Sequence, residues 1–94
     1  MSVLDQAWAL APQVSVRPEP FGALLYHFGT RRLSFLKDRR LLAVVQGLGE
    51  APTARQACVA AGVEPRELRA YERALARLAE TDMLRERARQ EGKQ

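Results

Sequence analysis

The chain has one histidine, His27, and one cysteine, Cys58. Chemistry that makes or breaks bonds needs more than these two offer. His27 lies inside the apolar run "ALLYHF", with no nucleophile and no metal-ligand spacing beside it, and reads as a structural or partly exposed histidine. Cys58 sits in "QACVAAG" and reads as a buried thiol that packs as a small hydrophobe. A lone cysteine excludes an intramolecular disulfide and a CxxC-type metal site. Glycine-rich phosphate loops, serine–histidine constellations and paired-carboxylate sites are missing from the sequence. It therefore points to no enzyme, no metal and no cofactor. The chemistry that is left is recognition.

Two sets of residues could carry recognition. The first is "RRLSFLK" (residues 31–37), apolar residues flanked by bases, without proline or glycine. At the edge of a sheet its main-chain groups would stay free to pair with another chain, which is what β-augmentation requires. Arg31, Arg32 and Lys37 would then favour an acidic peptide, or would simply guard the edge against aggregation. The second set is Arg66, Arg69, Arg73 and Arg77, which share one side of a helix nearly opposite Leu68, Tyr71, Leu75 and Leu78. A solvated face is the plain reading of those arginines. Ala70 and Ala74 lie on a flank between the two stripes, where small side chains leave room for a ligand beside the helix.

A third feature, "ACVAAGVEPRELRAYERAL", reads as a helix-turn-helix unit. Its second helix opens with Glu64, Glu67 and Glu72, where base-contacting residues would sit and where carboxylates repel phosphates. A basic wing after it is also not expected, because the strand signals all precede the helices. A winged-helix nucleic-acid binder is thus the weaker alternative. Met83 and Leu84, at the expected end of the last helix, are expected to be exposed and hint at a partner surface.

The elements that must position these residues follow from period and punctuation. "VSVR" (14–17), "ALLYHF" (23–28) and "RLSFL" (32–36) read as strands, with a tight turn at Gly29-Thr30. Pro12, Pro18, Pro20 and Gly22 break the earlier links, and the prolines blunt the first strand as an edge. "WAL" at Trp8 is a short lead-in. From residue 38 the period becomes helical. Leu41, Leu42, Val44, Val45 and Leu48 fit one helix that stops at Gly49. Thr53 and Gln56 form a capping-box pattern that opens a second helix, which ends at Gly62. Pro65 starts a third helix, expected to reach about Arg87, with residues 88–94 frayed.

The fold class expected is α+β, a three-stranded antiparallel sheet (about 14–36) followed by three helices (about 38–87) in a winged-helix-like arrangement. The 94 residues, 47% hydrophobic, suit one domain with a single core. Fifteen bases against eleven acids leave a net charge of +4, which suits an acidic partner. The N-terminus lacks a signal-peptide pattern, and no run approaches the ~20 apolar residues of a membrane span. A cytoplasmic protein with no membrane partner is expected.

The order of strands and helices, with the run "RPEPFGALLYHFGTRRLSFLK" (17–37), resembles the PqqD-like peptide-recognition domains of ribosomal peptide pathways. Within that family it looks most like the peptide chaperones of mycofactocin biosynthesis. The likeness continues more loosely through "AVVQGL" and "AAGV" to about Leu78. The resemblance implies a chaperone that binds the leader of a precursor peptide and presents it to a radical S-adenosylmethionine maturase. The maturase would carry the iron–sulfur clusters. The leader would pair with the third strand and lie between it and the third helix. The corresponding positions are Arg32, Leu33, Ser34, Phe35, Leu36 and Lys37 on the strand, and Ala70, Arg73, Ala74 and Arg77 on the helix. An edge that accepts a peptide also accepts its own copy, so a weak homodimer through the third strand is expected. A subunit of the maturase that needs no peptide is a further reading.

Overall fold

A computed structural model describes residues 2–87. The strands are Trp8–Leu10 (β1), Val14–Glu19 (β2), Gly22–His27 (β3), Arg32–Leu36 (β4) and Leu84–Glu86 (β5). The helices are Arg39–Gly47 (α1), Ala54–Ala60 (α2) and Leu68–Glu80 (α3). Single 3-10 turns at Val3–Asp5 and Pro65–Glu67 precede β1 and α3. The architecture is α+β, with the expected antiparallel sheet β2-β3-β4 and three helices.

Alternation sets the sheet's two faces. Ala23, Leu25 and His27 of β3 are buried, while Leu24 and Tyr26 point the other way and are half-buried. The buried face meets Val44 and Val45 of α1, Leu48 at its C-cap, Cys58 of α2 and Leu75 of α3 in one core. The first hairpin closes at Glu19 opposite Gly22. A Cβ at Gly22 would overlap the Leu36 carbonyl oxygen, so glycine lets the end of β4 close onto the sheet.

The second hairpin departs from the expected tight turn at Gly29-Thr30. Residues 28–31 all lie between the strands, and Arg31 takes the left-handed conformation at φ 63°. His27 organises the turn. Its Nδ1 accepts the N–H groups of Gly29 at 3.0 Å and Thr30 at 3.1 Å, and its carbonyl accepts that of Arg31 at 2.7 Å. Two backbone donors are satisfied by one buried side chain, which is the structural role expected of this histidine.

Helices α1 and α2 each start on a side-chain cap. Asp38 Oδ1 accepts the Leu41 N–H at 2.6 Å, and Thr53 Oγ1 accepts that of Gln56 at 3.3 Å. Helix α1 ends at Gly47, two residues before the expected stop at Gly49. Helix α2 ends on Gly62 at φ 89°, where Gly62 N–H reaches Val59 O and Val63 N–H reaches Cys58 O, a Schellman cap.

Helix α3 does not run to Arg87. It ends at Glu80 on the same kind of cap, with Asp82 N–H on Ala79 O and Met83 N–H on Leu78 O. Asp82 holds the left-handed position at φ 65°, the place glycine usually takes. The chain then forms β5, antiparallel to β1, with Trp8 opposite Glu86 and Leu10 opposite Leu84. The "WAL" lead-in is therefore a paired strand. Met83 and Leu84 are buried, contrary to their expected exposure, because this turn drives them into the core. Arg87 donates its N–H to Ala7 O at 2.9 Å and its Nε to Trp8 O at 2.9 Å, and its Nη2 bonds Ala51 O. A strand thus follows the helices after all. It closes on β1 and makes no hairpin wing among the described residues. Residues 88–94, expected to fray, lie outside them.

Candidate functional site

The strand read from the sequence as the third is β4, and among the described residues it is an edge: β3 flanks it on one side only. The register decides which of its main-chain groups are free. Phe28 N–H bonds Gln13 O at 2.9 Å, on the β2 side, so alternation turns the groups of Ala23, Leu25 and His27 toward β4. Their partners Leu36, Ser34 and Arg32 are consumed by that ladder, in agreement with the Leu36 carbonyl lying against Gly22. Leu33, Phe35 and Lys37 therefore aim their N–H and C=O groups at the open side.

The opposite edge, on β2, is blunted at two places. The N–H of Val14 is taken by Ala11 O at 3.0 Å, and Pro18 has no N–H in a position that faces outward. The expectation that proline blunts one edge and leaves the other open agrees with this register.

Beside the open edge lies a groove of about 710 Å³ between β4 and α3. One wall is the strand from Leu33 to Leu36 and on to Lys37. The other is the Ala70, Arg73, Ala74 and Arg77 side of α3, with Tyr71, Leu78 and Thr81. Leu41 of α1 also lines it. All the residues proposed from the sequence come together here except Arg32, which is exposed and outside the walls. Of the arginine side of the helix, only Arg73 and Arg77 reach the groove. Arg66 lies in the preceding 3-10 turn, 3.0 Å from Glu64, and Arg69 is exposed elsewhere.

The charge of the groove is one-sided. Among the described residues, Lys37, Arg73 and Arg77 have no carboxylate partner within 4.0 Å. The lone acid on the walls among the described residues, Asp38, is occupied as the cap of α1 and receives the Tyr71 hydroxyl at 3.4 Å. Burial, and then the Asp38 carboxylate, push the Tyr71 hydroxyl above its ordinary pKa. Across the end of the groove, Arg40 of α1 reaches Glu67 at 3.1 Å and ties α1 to the start of α3. Glu67 Oε1 also accepts the Glu64 N–H at 3.0 Å, so this carboxylate caps the 3-10 turn before α3 and holds an ion pair.

Residues 7–85 match the model of the peptide chaperone MftB family. The chain belongs to that family. The peptide chaperone MftB of Mycobacterium tuberculosis is 60% identical over 80 residues, which cover 85% of this chain and 73% of the relative. That of Mycolicibacterium smegmatis is 55% identical over 80 residues, covering 85% of this chain and 78% of the relative. No solved structure matches the chain.

Asp38, Leu41, Tyr71, Leu78 and Thr81 line the groove of this MftB-family chain without having been singled out for it from the sequence. Tyr71 and Leu78 belong to the apolar stripe of α3, and a stripe says nothing of which members stop short of the core. Tyr71 carried a usable signal: it lies between Ala70 and Ala74, and a tyrosine at a stripe's margin keeps its hydroxyl toward polar neighbours. Asp38 carried another, as an N-cap type directly before a helical apolar run.

Proposed function

We propose that this chain binds the leader of a ribosomally made precursor peptide by strand addition to β4. It then presents the peptide to a radical S-adenosylmethionine maturase in mycofactocin biosynthesis. It does so without catalysis, in the cytoplasm. The observation that carries this reading is the pairing of an open edge with a cationic groove. Leu33, Phe35 and Lys37 offer main-chain groups on the side where Lys37, Arg73 and Arg77 have no carboxylate partners among the described residues. The backbone supplies much of the affinity, and the arginines select an acidic strand. The name of the relatives, peptide chaperone, supports the same reading.

Calorimetric titration with the precursor peptide, maturase absent, tests it. Tight binding by the wild type and loss on Phe35→Pro are expected, since proline removes an outward N–H. Ser34→Pro is the contrasting variant, because it removes a bond of the β3–β4 ladder and damages the fold instead. Unchanged binding by a folded Phe35→Pro protein contradicts strand addition. Binding that needs the maturase would make the chain a structural subunit. A gel shift with mixed duplex DNA at moderate salt should show no complex. The same edge should let two copies pair weakly, and sedimentation should show that dimer dissolving as peptide is added.

A further inference from the structure

An added strand has two faces, and the groove accounts for only one. Leu33 and Phe35 stand opposite Tyr26 and Leu24, so they project from the face of the sheet turned away from the core. They are 59% and 64% exposed. Phe21, from the β2–β3 turn, stacks on Phe35 with ring centroids 6.3 Å apart. Among the described residues, every exposed large hydrophobic except Val59 lies on this face: Phe21, Phe28, Leu33 and Phe35. The patch has a direction. On β2 the same face carries Ser15, Arg17 and Glu19, the last two paired at 2.9 Å. The outer face is thus polar at the β2 edge and apolar at the open one. A surface that becomes apolar only toward the open edge fits an occupant that arrives at that edge.

We propose that Leu33, Phe35 and Phe21 form an outer subsite for the strand that binds β4, so the site selects a peptide that is apolar on both faces. This rests on the strand-addition reading above. In an antiparallel added strand, the residues that exchange main-chain bonds with Leu33 and Phe35 are directly opposite them. Opposed side chains lie on one face with Cβ atoms about 4.5–5.5 Å apart. Two peptide positions, i and i+2, are therefore held over Leu33 and Phe35 by the same hydrogen bonds that fix the register. Apolar side chains there cover both residues, and polar ones leave them wet. Position i+1 turns to the groove, and the peptide's acids fall where Lys37, Arg73 and Arg77 can meet them.

Two synthetic acidic-flanked peptides test this. One has a core of consecutive valines; in the other, valine alternates with serine, so that only one row is apolar in any register. The all-valine peptide should bind the wild type at least about fivefold tighter, the upper range of one cross-strand pair. The double variant Leu33→Thr/Phe35→Thr, which keeps both N–H groups and a strand-forming side chain, should erase that preference. The alternating peptide should bind both proteins alike. Equal binding of the two peptides by the wild type overturns the outer subsite while leaving strand addition intact. Failure of strand addition itself would appear separately, as unchanged binding of both peptides by Phe35→Pro. Should the double variant alter only self-association, the patch belongs to a second copy. An effect seen only with the maturase present assigns it to the enzyme, and either result also overturns the subsite.

Discussion

The Tyr71 hydroxyl donates to Asp38 Oδ1 at 3.4 Å, and the same oxygen accepts the Leu41 N–H at 2.6 Å. One carboxylate thereby starts α1 directly after β4 and fastens α3 across the groove. Asp38→Ala should lower stability by about 1 kcal/mol, the usual worth of an N-cap. Asp38→Asn should restore most of it, because asparagine caps nearly as well. Urea unfolding of the three proteins measures this, and an unaffected Asp38→Ala midpoint contradicts it.

Alkaline pH should loosen the fold. Burial raises the pKa of Cys58 above its ordinary 9.0, opposed by Arg55, and burial and then Asp38 raise that of Tyr71 above 10.0. Both groups are neutral when protonated, so the folded chain holds these protons more tightly than the unfolded chain. The stability they contribute is complete below the unfolded pKa values and is lost as pH rises through the folded ones. Tm should stay level from neutrality to about pH 9 and fall beyond it, less steeply in Tyr71→Phe or Cys58→Ala. A Tm that instead rises above pH 9, and loses that rise on these substitutions, would give the shifts the opposite sign.

Gly22 should tolerate no side chain. Its Cβ would occupy the place of the Leu36 carbonyl oxygen, which is backbone and cannot swing aside. Gly22→Ala should cost about 1–3 kcal/mol, the range for overpacking, and should weaken peptide binding by shifting β4. Denaturation of the variant at wild-type stability would show that the strand end has slack.

Charge reversal should separate the bases. Arg73→Glu should weaken binding of an acidic peptide and reduce its salt dependence, with Tm nearly unchanged, since Arg73 has no carboxylate partner to lose among the described residues. Arg32→Glu should do less, because Arg32 lies outside the groove walls. Titration at several salt concentrations checks both. A salt-independent affinity in the wild type argues against steering by these cations.

Most of the sheet and the groove were legible in the sequence, for local reasons. The apolar, aromatic run "ALLYHF" and the proline-free "RRLSFLK" mark β3 and β4, and the spacing of Ala70, Arg73, Ala74 and Arg77 picks out one helix flank. What escaped depended on partners distant in the chain. The pairing of β1 with β5 joins residues near the two ends, and no local period announces it. The stop of α3 was hidden because Asp82 does the work of a glycine, leaving "TDMLRER" to read as more helix. The outward row of β4 was equally hidden, because parity is set by pairing and not by sequence. Ser34 and Leu36 looked suitable for probing the open edge until the β3–β4 register turned their main-chain groups to β3.

That parity supplies the most direct test of strand addition. Residue-resolved amide hydrogen exchange should be measured on the chain alone and with saturating precursor peptide. In the free chain, Ser34 and Leu36 should already be protected by β3, while Leu33, Phe35 and Lys37 exchange fast. Peptide should slow Leu33, Phe35 and Lys37 strongly and change Ser34 and Leu36 little. Saturating peptide that leaves the amides of Leu33, Phe35 and Lys37 exchanging as in the free chain would contradict β4 as the docking edge.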